Sequence, residues 1–455
     1  MLLRRLKNTD ADMTDGNIWK QLLQFAIPMA IGMLFQQLYN TVDAIVVGRF
    51  VGNEALAAVG STSSIINLLV GLCTGLATGA SVVISQCYGA HNNKQLSDAV
   101  HTTILGTFLM SIIATVIGML IVSPMLRLMS TPEDVFEAAR EYLTIYFAGV
   151  SGLLVYNMGS GILRAVGDST RPLYFLCFSA ITNIILDLLF VISFHWGIAG
   201  VAYATILSQF LSAGLVLFSL TRCDQAYGIH WKSLALKKEM LRRILSIGLP
   251  SGLQQAITSF SNVFVQSYIN YFGSVCMAGW SSYNKLDVFV LIPVQSIGLA
   301  ATTFVGQNFG AGKLARARDG VKKALLMSMS VTAVCSGLLI LCDHYVLQLF
   351  TSDAAVIRYG EAFITLCSPF YVLICFNQIF AGALRGVGNA RSPMLIMLGS
   401  FVLFRQLYLL AVRLIGITFI PVAIAYPLGW VVCSGLMAIA YKRCILCRAE
   451  NSLGA

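Results

Sequence analysis

Gln36–Gly48, QQLYNTVDAIVVG, sets an aspartate inside an apolar run that reads as a membrane helix. Gln36, Asn40 and Asp43 fall at i, i+4 and i+7, so a helix carries all three on one face. An ionised carboxylate at bilayer depth costs about 3 kcal/mol or more. Asp43 therefore needs a partner, a proton or a bound cation. This marks it as the expected coupling site of a cation-driven exporter.

The rest of the chain has the character of that stretch. Of its 455 residues 57% are hydrophobic and only 11% charged, with a mean hydropathy of +0.78. Soluble domains carry about 25% charged residues, so the chain is expected to be an integral membrane protein. Its apolar runs are long and lack the alternation of an outer-membrane barrel, which makes them helices. Twelve spans are predicted, at 18–46, 54–84, 95–122, 136–162, 170–194, 197–221, 239–270, 274–306, 318–342, 356–383, 393–414 and 418–441. No sizeable soluble domain fits between them. Residues 1–17 are polar, without the apolar core of a signal peptide. Pro28 removes a backbone hydrogen bond inside the first span, so a kink is expected there.

The net charge of +10 does not imply nucleic acid, because the basic residues are distributed by membrane side. With the N-terminus placed in the cytoplasm, Arg4, Arg5, Lys7, Lys94, Arg164, Arg222, Lys313, Arg385 and Lys442 all fall inside. Of the 30 Lys and Arg, only Arg49, Arg127, Arg140, Lys285, Arg358, Arg405 and Arg413 fall elsewhere. Both termini are therefore expected inside a multi-pass cell membrane protein. The twelve cysteines mostly lie singly in apolar runs. Cys444-x-x-Cys447 has no second pair and no nearby histidine, so no metal site is expected there.

The sequence repeats itself. Leu163-Arg164-Ala165-Val166-Gly167 recurs as Leu384-Arg385-Gly386-Val387-Gly388, and Gln86-Cys87-Tyr88-Gly89-Ala90 as Gln307-Asn308-Phe309-Gly310-Ala311. Ile27-Pro28 recurs as Leu249-Pro250, and all three matches lie 221 or 222 residues apart. A repeat of six helices keeps the same orientation in both copies, as in two-lobed secondary transporters. The expected fold is all-α: a cytoplasmic tail at 1–17, a first six-helix lobe at 18–221, a cytoplasmic linker at 222–238, a second lobe at 239–441 and a tail at 442–455. The glycines of the two L-R-x-V-G turns are expected to take positive φ.

Asp43, Asp187 and Asp287 are the acids clearly inside spans. Asn183 and Asp187 are four apart, side by side on the fifth span, while Thr205 on the sixth and Asn157 on the fourth offer further oxygens. Hard cations prefer oxygen ligands, so Asp43, Asn183, Asp187 and Thr205 would suit sodium. Burial and a neighbouring carboxylate also favour protonation, so the same pair would suit protons. The bland alternative is that Asn and Thr neighbours satisfy both acids, and Asn157 is equally a helix-packing amide. The second lobe has Val265, Phe404 and Tyr408 at the corresponding positions, so the carboxylate site belongs to the first lobe alone. There, Asp287 is a second proton or substrate site, or is satisfied by Arg405. It need not pair with Lys285, two residues away. Gln255, Asn262 and Gln266 share a stripe that either lines a cavity or bonds between helices.

Together the stretch QQLYNTVDAIVVGRFVG, the LRAVG and LRGVG turns and the two Q-x-x-G-A turns resemble the multidrug and toxic compound extrusion family, from about residue 16 to 443 and closer to its DinF-like branch. The resemblance implies two six-helix lobes facing a central cavity. It implies export of small lipophilic organic cations in exchange for Na+ or H+, by alternating access, with a monomer sufficient. The family's first-lobe cation site carries over onto Asp43, Asn183, Asp187 and Thr205, with Asn157 nearby, and its kinked first helix onto Pro28. NorM-type members place further carboxylates where this chain has Gln255 and Asn377. A lipid-linked oligosaccharide flippase of the same superfamily is the rival, but embedded acids favour cationic cargo. An enzyme is not expected: neither an aspartate-rich magnesium motif nor HExxH is present.

Overall fold

Long apolar segments satisfy their backbone polar groups in a bilayer only as helices or closed barrels. The computed structural model describes residues 12–129 and 131–453, and they are helical with short connections. Ile18–Val46 (α1) runs without a break through Pro28 and continues as a π-helical turn, Val47–Val51. Asn53–Gly89 (α2), Asn93–Leu128 (α3), Glu133–Ala148 (α4), Val150–Ala165 (α5), Thr170–Leu188 (α6) and Gly197–Thr221 (α7) complete the first copy. The second copy runs Lys238–Asn270 (α8), Ser274–Gly310 (α9), Leu314–Leu341 (α10), Asp343–Gln348 (α11), Ala354–Cys367 (α12) and Tyr371–Gly386 (α13). It ends with Arg391–Leu398 (α14), Arg405–Ile415 (α15) and Phe419–Leu453 (α16). Arg4, Arg5 and Lys7, part of the charge bias, lie outside the described residues, as do the side chains of Cys447 and Arg448.

Among the described residues ten helices are long and apolar enough to cross a membrane, and the bent pair α4–α5 makes eleven. The one predicted span left over, the seventh at 239–270, is α8, 33 residues long but carrying Gln254, Gln255, Thr258, Ser261, Asn262 and Gln266. The span expected at 136–162 is not one straight helix: α4 and α5 meet at 48°. A Cβ on Gly149 would lie 2.4 Å from Ile206, so only glycine lets this elbow rest on α7. The second copy interrupts at the same repeat position, with the 3-10 turn Ser368–Phe370.

The repeat extends to the backbone. Gly52, His91, Gly167 and His195 have positive φ, and so do their counterparts 221 residues later, Gly273, Gly312, Gly388 and Gly416. In both L-R-x-V-G turns the glycine takes the positive φ expected of it, +88° at Gly167 and +91° at Gly388.

The chain divides into two compact units, and the division does not fall at the linker. The first unit includes Ile31–Gly252; the second joins Met13–Ala30 to Leu253–Ala455. Both crossings lie two residues past a proline, Pro28 in α1 and Pro250 in α8. Local bonds explain these memberships. In the second unit Met13 donates its N–H to Gln307 Oε1 (2.9 Å) and accepts from Asn308 Nδ2 (3.1 Å). Lys313 Nζ pairs with Asp15 at 2.8 Å. In the first unit the linker is fixed: Lys237 donates its N–H to Thr102 Oγ1 (3.1 Å), and His230 donates its N–H to His101 Nε2 (3.0 Å). The first half of α8 then meets α2 at backbone contact. Cβ atoms on Gly75 and Gly79 would lie 2.1 and 2.5 Å from the nitrogens of Gly252 and Gly248.

A buried ion pair, Asp168 with Arg171, closes the first L-R-A-V-G turn, and Arg171 Nη2 also donates to Tyr227 (3.2 Å). The second copy uses a neutral cap, Ser392 N–H to Asn389 Oδ1 (3.2 Å). Removing one partner of a buried pair costs about 3–5 kcal/mol. Arg171→Ala is therefore expected to lower the thermal unfolding midpoint in detergent by several degrees. Asp168→Asn combined with Arg171→Ser, which reproduces the second copy, is expected to recover most of that loss.

Candidate cation site

The second half of α1 brings Asp43 into the first unit, where Tyr142 of α4 lies beside both Asp43 and Asp187 of α6. The two carboxyl groups are immediate neighbours. Asp187 is fully buried and Asn183, one turn earlier on the same face, is 2% exposed. Among the described residues neither oxygen of Asp187 has a donor, neither polar atom of the Asn183 side chain has a partner, and Asp43 Oδ1 is buried without one. The hydrogen-bonding neighbour of Asp187 is the other carboxyl, and a carboxyl donates only when protonated. Without a proton, two negative groups and an amide converge with nothing from the protein to neutralise them. Buried polar atoms are almost always bonded, so orphans this concentrated mark a place for something else. The bland alternative, satisfaction by Asn and Thr neighbours, is not what is found.

The other residues expected at this site stand differently. Thr205 on α7 donates to Val201 O (3.0 Å), which leaves its oxygen lone pairs as acceptors. Asn157 on α5 donates to Leu153 O (2.8 Å), so only its carbonyl oxygen remains to act as a ligand. Gln36 and Asn40 are exposed, whereas Asp43 is half-buried; Gln36 hydrogen-bonds to Tyr39. Tyr39, four residues before Asp43, and Tyr142 were missed by sequence reasoning. The i, i+4 spacing signalled Tyr39, but nothing in the sequence signalled Tyr142. Among the described residues no group of three or more His, Cys, Asp or Glu converges to hold a metal ion. Two carboxylates with an amide and a hydroxyl suit a proton or a hard monovalent cation better than a transition metal.

The π-helical turn Leu189–Ser193 directly follows α6 and lies two residues from Asp187, while Val47–Val51 lies four from Asp43. Such turns concentrate at functional sites.

In the second unit Asp287 does not pair with Arg405. Its hydrogen-bonding neighbour is Tyr371, whose hydroxyl donates to that of Tyr283 at 2.9 Å, and its Oδ1 is a buried orphan. Lys285 points elsewhere, its Nζ 5.4 Å from the centroid of Phe350. Of the α8 stripe, Gln255 is exposed, Gln266 Nε2 donates to Asn270 Oδ1 (2.8 Å), and Asn262 Oδ1 accepts from Arg405 Nη2 (2.8 Å). The buried amide on this helix is Gln254, not Gln255.

The MatE family model matches residues 28–189 and 250–408, one match in each copy of the repeat. The probable multidrug resistance protein YpnP of Bacillus subtilis (strain 168) is 30% identical over 404 residues, covering 87% of this chain and 88% of that protein. The multidrug export protein MepA of Staphylococcus aureus (strain NCTC 8325 / PS 47) is 22% identical over 389 residues, covering 85% and 86%. Among solved structures, an outward-facing multidrug resistance MATE family transporter of the MOP superfamily superposes with a TM-score of 0.91. It is 24% identical, over 98% of this chain and 99% of that one, a likeness of fold.

Proposed function

Because the chain belongs to the MatE family, the multidrug and toxic compound extrusion transporters, we propose that it is a secondary antiporter of the cell membrane. It exports small lipophilic organic cations in exchange for Na+ or H+ by alternating access, with both termini cytoplasmic and a monomer sufficient. The relatives named for multidrug resistance and export support the cargo class. The observation that carries the coupling site is the set of orphaned atoms on Asp43, Asn183 and Asp187. Embedded acids in the first unit speak against an oligosaccharide flippase, whose pyrophosphate cargo needs cationic walls.

Exchange follows from differential binding. A cation or proton entering between Asp43 and Asp187 offsets one of the two negative charges, relieves their repulsion and draws the second half of α1 toward α6. Pro28 removes one backbone hydrogen bond just before the two halves of α1 change unit, so bending there is cheap. Cargo bound to the opposite state is displaced. A gradient of about 100 mV supplies about 2.3 kcal/mol per charge.

Everted membrane vesicles with sodium and pH gradients imposed separately test this and identify the ion. One gradient is expected to drive accumulation of a fluorescent lipophilic cation and the other to be inert. Accumulation driven by neither would refute antiport.

A further inference from the structure

The linker that follows α7 is anchored rather than loose. Tyr227 and Ile229 are buried; Ile229 donates its N–H to Leu220 O (3.0 Å) and Gly228 to Gln225 O (2.8 Å). Together with the bonds from Arg171 to Tyr227 and from His230 and Lys237 to α3, these hold the segment on the first unit. A mere tether needs no such fixing. One residue that the fixing positions is Trp231. Its Nε1 donates to Oγ1 of Thr221, the last residue of α7 (3.2 Å), and its ring centroid lies 6.4 Å from that of Phe108 on α3. The indole is exposed all the same, as is Leu236.

An apolar face leads up to this indole. On α7, Tyr203, Leu207, Phe210, Gly214 and Phe218 are exposed at steps of three or four residues, and the next step is Arg222. The stripe is about 28 Å long at 1.5 Å per residue, close to the hydrocarbon thickness of a bilayer, and it ends in a cation. The Arg222 guanidinium carbon sits 5.2 Å from the centroid of the Phe218 ring, so the charge closes the apolar face directly. Lys232 adjoins Trp231 as Arg222 adjoins Thr221, so the bond between Trp231 and Thr221 brings both basic residues to the same end of the stripe. Both are exposed, and among the described residues neither pairs with Asp224 or Glu239, the acids of this stretch. Two cations without acids, an indole with a polar edge and a long apolar face correspond in order to the phosphate, ester level and acyl chains of a phospholipid.

We propose that Arg222 and Lys232 bind the phosphate of an anionic phospholipid whose acyl chains lie along the Phe218 face of α7, with Trp231 at the level of the esters. The site is independent of cargo and of the coupling ion. The test uses the indole as its reporter. Full-length protein is titrated with phosphatidylglycerol or phosphatidylcholine carrying brominated acyl chains, and the signal of the other tryptophans is subtracted with Trp231→Phe. Each basic residue near an anionic headgroup is worth about fivefold, so brominated phosphatidylglycerol is expected to quench Trp231 at about 25-fold lower mole fraction than brominated phosphatidylcholine. Arg222→Gln and Lys232→Gln, both at exposed positions, are each expected to cut that preference about fivefold, and the pair together to abolish it. Arg222→Lys is expected to retain it. Lys20→Gln, which removes an exposed basic residue of the second unit, is expected to leave it within about twofold. Equal quenching by the two lipids, no quenching of Trp231 by either, or a preference that survives the double substitution would overturn the proposal. So would an equal loss from Lys20→Gln, which would make the preference one of overall charge. Relief of quenching by millimolar inorganic phosphate would overturn it as well, because the site would then take the free ion rather than the lipid.

Discussion

Asp43→Asn is expected to eliminate gradient-driven export while the protein still inserts, folds and binds cargo. The amide matches the carboxyl in size, and Asp43 Oδ1 has no protein bond to lose. What disappears is the second negative charge beside Asp187, and with it the reason for a cation to enter. The coupling energy of about 2.3 kcal/mol per charge at about 100 mV is worth about 50-fold in accumulation. The variant should fall to passive equilibration, a loss of that order, in vesicles under the productive gradient. Its thermal unfolding midpoint should stay close to that of the parent. Full export by Asp43→Asn would remove the coupling role.

Gly75→Val is expected to have the largest effect on assembly. The Cβ would sit 2.1 Å from the backbone nitrogen of Gly252, and one turn on the pair Gly79 and Gly248 is almost as close. Neither neighbour is a side chain that can swing away. Helices in a bilayer associate through close packing rather than the hydrophobic effect, so parting α2 from α8 forfeits contact along the whole stripe. Overpacking typically costs about 1–3 kcal/mol, and a clash of backbone against backbone belongs at the top of that range or beyond it. Gly214→Val is the control, because a Cβ at Gly214 meets nothing within 4 Å. Size-exclusion profiles and unfolding midpoints of the two detergent-purified variants should separate clearly. A monodisperse, normally stable Gly75→Val would contradict the packing described.

The spans and the repeat were legible because hydropathy and identical turns at one offset depend only on the order of residues. The two acids were legible for a related reason: a charge in an apolar run is conspicuous whatever the fold. Contacts between distant spans were not. Tyr142 lies on a helix whose pattern gives no sign that it reaches both aspartates. The sharing of α1 between units depends on Met13 finding Gln307 and Asn308, nearly three hundred residues away. The amide next to the α8 stripe was not legible: Gln254, buried with its Nε2 2.8 Å from the Met397 sulfur, looks no different in sequence from the exposed Gln255. Arg405 was noticed in the sequence only as a partner for Asp287. Opposite charges in one lobe invite that pairing, yet Ser261, Asn262 and Tyr426 hold the guanidinium instead. The π-helical turns and the Gly149 elbow left no periodic signal at all.

The most direct measurement follows the ion rather than the cargo. Purified protein in liposomes is loaded with an aromatic cation, and entry of radiolabelled sodium and of protons is recorded as the cargo leaves. The parent should admit one of the two ions in fixed proportion to cargo, and Asp43→Asn and Asp187→Asn should each admit neither. Undiminished ion entry in either variant would mean that the paired acids do not carry the coupling ion.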